Sequence, residues 1–200
     1  MEGIKKYLVI FAVVIIGILP IFFGLNIQYL FINNLNPSRL LLFLLGVITL
    51  FLLGRIIILI LFDDKLIDQM KNHDLIQAFI NQNNKSVIWF TFPLTMLMEE
   101  LIFRFYVIIV LLDILHFNDL LVILLSSIIF AFYHLHFWFM FKNFRLFISY
   151  FILSFGLGLF NGFVFLYFGL SICFFVHFGV AFELYHHLYN KYFKKNNGKT

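Results

Sequence analysis

Long apolar runs separated by short polar breaks dominate the sequence. Residues 7–30, 38–62, 91–112, 119–138, about 144–160 and 168–188 are each near the length an α-helix needs to cross a bilayer. The pattern predicts an all-α, polytopic transmembrane helix bundle of about six spans. The first run follows Lys5 and Lys6. It is long for a signal peptide and no small-residue cleavage site follows, so it reads as a retained span kinked at Pro20. Asn33, Asn34, Asn36 and Pro37 mark a turn. Arg55, inside the second run, is placed to snorkel toward the cytosolic end. Pro93 suits the first turn of the third span, and residues 113–119 form a short turn after it. Lys142, Asn143 and Arg145 break the chain before the fifth span. A turn at Asn161–Gly162 or at Gly169 leads into the sixth. Ser154, Gly158 and Gly162 stand four apart and predict a flat stripe for a neighbouring helix.

Residues 63–85 are the one long polar stretch. Leu66, Ile67, Met70, Ile76, Phe79 and Ile80 recur there at helical spacing against Asp63, Asp64, Asp68, Lys71 and Asn72. Either an amphipathic helix lies at the membrane interface or the stretch is a solvated loop.

Composition sharpens the class. The 200 residues are 63% hydrophobic and 12% charged, with mean hydropathy +1.01, far from the balance of a soluble domain. The net charge of +4 does not imply nucleic-acid binding, because the basic residues sit in loops and tails. One cysteine, Cys173, excludes a disulfide framework, and the 31 phenylalanines read as lipid-facing bulk. With six spans and the N-terminus inside, Lys5, Lys6, Lys65, Lys71, Lys85, Lys142, Arg145, Lys191, Lys194, Lys195 and Lys199 fall on inner segments and Arg39 on an outer one. That asymmetry predicts a multi-pass cell-membrane protein with both termini cytoplasmic. Residues 1–85 would hold two spans and the interfacial segment, 86–190 a four-helix core, and 191–200 a basic disordered tail.

Ionisable residues well inside the last four helical runs carry the candidate chemistry. Glu99, Glu100 and Arg104 lie in the third, His134 in the fourth and His177 in the sixth. An intramembrane charge costs several kcal/mol unless paired or hydrated. Glu100 and Arg104, four apart, share a helix face and can neutralise each other. Glu99 is turned about 100° away and lacks a local partner. At the helical rise, Glu99, His134 and His177 each lie roughly 5–15 Å below the cytosolic surface, so one inward-opening cavity could hold them. A carboxylate and two imidazoles suit water activation. Either Glu99, His134 and His177 hold Zn²⁺, or Glu99 and His134 act directly as base and acid. His136, two residues from His134, faces nearly the opposite way and reads as interfacial.

The order Glu99-Glu100-Leu-Ile-Phe-Arg104, then Phe130-Ala-Phe-Tyr-His134, then His177 resembles the CPBP intramembrane proteases, also called the Abi or CAAX-protease family. The resemblance covers about residues 90–185. It implies an intramembrane endopeptidase acting on a membrane-associated, prenylated or leader-type peptide, with Glu99 and His134 activating water and His177 aiding metal or oxyanion binding. Two departures matter. Ala181 stands where the family commonly has Asn or Asp, and Phe105 follows the motif arginine in place of glycine. Ala181 keeps a second reading alive: a catalytically weak relative that works by binding, as in bacteriocin immunity or regulation. A transporter is less favoured, because the charged motif is not repeated in the other half.

Overall fold

The computed structural model describes residues 2–31, 36–71, 73–80 and 86–190. The turn expected at Asn33 and Asn34, Lys85, and the tail 191–200 lie outside the described residues, as do the side chains of Lys5 and Lys6. Helices and turns account for what is described, with no strand among those residues. Helix α1 spans Glu2–Phe22 and α2 spans Pro37–Leu61. Two short helices follow, α3 at Asp64–Met70 and α4 at Asp74–Ile80. Residues 87–114 form one continuous helix, α5, which alternates α and π turns. Then come α6 at Asp119–Tyr133, α7 at His136–Phe141, α8 at Phe144–Phe168 and α9 at Leu170–Leu188. Among the described residues three helical stretches are long and apolar enough to cross a membrane: Pro37–Leu61, Asp119–Phe141 and Phe144–Phe168.

Local chemistry sets the helix starts. Asn36, Asp63, Asn118 and Asn143 each accept a backbone N–H three residues on, from Arg39, Leu66, Leu121 and Leu146. Each satisfies one orphan donor of a first turn. Helix α1 contains Pro20 and stops at Phe22, where Gly24, at φ +81°, caps it: Gly24 N–H donates to the Ile21 carbonyl and Leu25 N–H to the Pro20 carbonyl. Helix α8 runs through Asn161 and Gly162, and the turn falls at Gly169 with φ +85°. A Cβ at Gly169 would lie 2.8 Å from the Phe31 backbone nitrogen, so both conformation and space require glycine.

The small-residue stripe of α8 receives α6. A Cβ at Gly158 would stand 2.9 Å from Ser127 Cα, and one at Gly162 3.0 Å from Ile123 Cγ2. Close approach here brings the end of α6, and with it His134, onto the centre of the bundle. Helix α1 is pinned to α5 where Tyr106 donates to the Gly17 carbonyl at 2.6 Å.

The described part of the polar stretch forms two short helices, not a loop. Its apolar residues turn into protein: Leu66, Met70, Leu75 and Ile76 are buried with Ile58, Phe62, Phe92, Tyr185 and Leu188. Asp63 pairs with Arg145 at 2.6 Å and Asn143 donates to Gln69 at 2.8 Å, which fastens α3 to the start of α8. The pair α3–α4 therefore caps one end of the bundle. Arg55 does not simply snorkel; it binds Glu183 at 2.8 Å and ties α2 to α9.

Candidate active site

Glu99, Glu100 and Arg104 are all buried in the middle of α5. A π turn over Leu101–Tyr106 begins directly after the two glutamates, a distortion that recurs at functional sites. Glu100 and Arg104 form an ion pair at 3.3 Å with neither side chain exposed. The guanidinium carbon also lies 4.4 Å over the Phe130 ring, so the cation rests on an aromatic face as well as on a carboxylate. Asn161 of α8 stands beside the same carboxylate and donates to the Cys173 carbonyl.

Glu100 does a second thing that helical phase could not reveal. Its Oε1 lies 2.7 Å from His177 Nδ1 on α9. A carboxylate paired with arginine only accepts, so Nδ1–H is the donor and the ring is fixed. His177 Nε2 then stands 3.7 Å from Glu99 Oε2. Among the described residues no hydrogen-bond donor reaches that oxygen. The two adjacent carboxylates thus have different surroundings, one enclosed by Arg104 and His177, the other open on the cavity side.

His134 sits where α6 breaks. The helix ends at Tyr133, and residues 134 and 135 turn before α7. His134 Nδ1 is 3.0 Å from the Phe130 carbonyl, which can only accept; the neutral ring therefore keeps its lone pair on Nε2. Phe130 meets both imidazoles edge-on, at 4.9 Å from His134 and 5.6 Å from His177. The motif phenylalanine is thus the common wall of Arg104, His134 and His177. The break also corrects the expectation for His136: its ring is 5.9 Å from that of His134, and it lines the same cavity instead of facing away.

Glu99, His134 and His177 open on one cavity of about 780 Å³. Ala181 contributes a methyl to its wall, and His73, Tyr133, Tyr150 and Tyr185 are further lining residues that the motif pattern did not single out. The three tyrosines and His73 carried no motif signal; only the phase of Tyr185, eight residues after His177, hinted at a shared face. Among the described residues no group of three or more His, Cys, Asp or Glu side chains is arranged to hold a metal ion.

A family model described as Rce1-like, type II CAAX prenyl endopeptidase Rce1-like, matches residues 81–182. The matched segment contains Glu99, Glu100, Arg104, His134 and His177. No curated protein and no solved structure matches the chain.

Proposed function

We infer the activity from one premise: this chain belongs to the Rce1-like family of type II CAAX prenyl endopeptidases, and it is a membrane protein. We propose that it is an intramembrane endopeptidase hydrolysing a peptide bond in a prenylated or leader-type peptide at the membrane surface. The observation that carries this reading is the Glu99 carboxylate, buried, unpaired on one oxygen, and opening with His134 and His177 on a single cavity.

In the metal-free route, water enters between Glu99 and His134. Glu99 takes a proton from it, with His134 Nε2 as the second acceptor that orients the water. The resulting hydroxide attacks the scissile carbonyl carbon. Collapse of the tetrahedral intermediate breaks the C–N bond, and the proton held by Glu99 passes to the leaving amine. His177 is fixed through Nδ1 by Glu100, which leaves its Nε2 facing Glu99 at 3.7 Å. Arg104 offsets the charge of Glu100.

The test is cleavage of a farnesylated CAAX peptide and of a leader-type peptide by the purified chain, with Glu99→Gln beside the wild type. Cleavage by the wild type, loss of at least about 10³-fold in Glu99→Gln, and insensitivity to chelators are expected, on the scale of removing a catalytic base. Chelator inactivation reversed by Zn²⁺ would replace the metal-free route with a metal one. No cleavage by either protein, with a cellular immunity phenotype that survives Glu99→Gln, would overturn the protease reading in favour of the binding one.

A further inference from the structure

Amide hydrolysis moves charge onto the carbonyl oxygen, and one donor aimed at that oxygen is typically worth about 10²–10³ in rate. The residues assigned so far do not provide it. His177 Nδ1–H is committed to Glu100, His134 Nδ1–H to the Phe130 carbonyl, and Ala181 ends in a methyl.

A chain of three side chains on the same cavity does provide one. Tyr185 lies one turn beyond Ala181 on α9. Its hydroxyl is 3.0 Å from His73 Nε2, in the turn between α3 and α4, and 2.9 Å from the Tyr150 hydroxyl on α8. The first member sets the direction of the chain. The Leu75 backbone N–H reaches His73 Nδ1 at 3.3 Å, so Nδ1 accepts and the neutral ring carries its hydrogen on Nε2. Nε2–H then donates to Tyr185, and Tyr185 donates to Tyr150. Tyr150 donates in turn to the thioether of Met70 at 4.0 Å, a weak acceptor that a developing oxyanion would outcompete. Donors in series polarise one another, so the last O–H is the strongest. The Tyr150 ring lies parallel to that of His134, 10° between planes and 6.3 Å between centroids, with Phe137 stacked at 3.9 Å to hold it.

We propose that the Tyr150 hydroxyl donates to the scissile carbonyl oxygen as it gains charge, with Tyr185 and His73 as positioning residues behind it. The assignment rests on the protease reading above. It makes the α3–α4 cap part of the catalytic apparatus, since His73 sits between the two helices.

Steady-state kinetics of the full chain on the cleaved peptide test it. Tyr150→Phe keeps the ring stack and should lower kcat by about 10²-fold with KM within about twofold, the signature of a contact made in the transition state. Tyr185→Phe and His73→Leu should lower kcat by less, and His73→Gln, whose amide still donates to Tyr185, should recover most of the loss. Adding Ala181→Asn to Tyr150→Phe should restore part of the turnover. That double variant also decides the matter if Tyr150→Phe folds poorly, because one no faster than Tyr150→Phe counts against the proposal. Unchanged kcat in Tyr150→Phe, while Glu99→Gln is inactive, overturns the proposal and leaves the protease reading standing. No cleavage by the wild type overturns both.

Discussion

At the scale of single residues, adjacency in sequence has produced opposite surroundings. Glu100 is ion-paired with Arg104 and accepts from His177, whereas Glu99 opens on the cavity. Removing one member of a fully buried ion pair strands the other charge, at a cost of about 3–5 kcal/mol. Arg104→Met should therefore lower the melting temperature in detergent sharply. Arg104→Met combined with Glu100→Leu should recover much of that stability. It should not recover peptide cleavage, because His177 Nδ1 has lost its acceptor. A double variant as active as the wild type would show that Glu100 is only a counter-ion. The pairing of Glu100 with Arg104 was legible from a four-residue spacing. The bond to His177 was not, since it joins residues 77 apart and helical phase fixes only a local face. The role of Phe130 was equally hidden: the sequence marks it as a motif member, but only packing puts it under a guanidinium and between two imidazoles.

At the scale of elements, small residues set how closely the helices that carry the candidate site pack. Gly158 lets the α6 backbone approach α8, and a Cβ there already collides with backbone at Ser127. Overpacking of this kind costs about 1–3 kcal/mol. Gly158→Val should thus destabilise the fold and move His134 away from Glu99, reducing turnover even in the folded fraction. Gly179→Ala on α9 is the matched control: its Cβ meets nothing within 4 Å, and alanine favours the helix by about 0.8–1.0 kcal/mol. Thermal melts and kinetics of both variants check the contrast, and equal behaviour would remove the close-packing argument. The stripe of Ser154, Gly158 and Gly162 announced a tight interface, yet nothing in it named α6 as the partner. The polar stretch 63–85 was harder. Its spacing correctly marked a helical apolar face, but periodicity does not distinguish lipid from protein as the surface that face meets. Here it meets Phe92, Tyr185 and Leu188. The break at His134 had no signal either, because a continuous apolar run reads as continuous helix.

At the scale of the whole molecule, charge is sorted between two ends. Lys65, Lys71 and Arg145 gather at the end closed by α3 and α4, where Arg145 binds Asp63. Arg39, over the Tyr167 ring at 4.3 Å, marks the opposite end near the Gly169 turn. The positive-inside rule predicts that the α3–α4 end faces the cytoplasm. The same end carries His73, which lines the cavity with Glu99 and His134. Orientation and the proposed activity then make one joint prediction: the peptide reaches the cavity from the α3–α4 side. Sealed inside-out membrane vesicles should cleave an impermeant CAAX-type peptide, and right-side-out vesicles should not until detergent opens them. Single cysteines replacing Lys142 and His116, in a background where the buried Cys173 is alanine, give an independent readout. The first should react with an impermeant maleimide only in inside-out vesicles and the second only in right-side-out ones. Labelling in the expected orientations with cleavage by right-side-out vesicles would place the entrance at the other end, and the α3–α4 cap would then close the back of the site instead of its mouth.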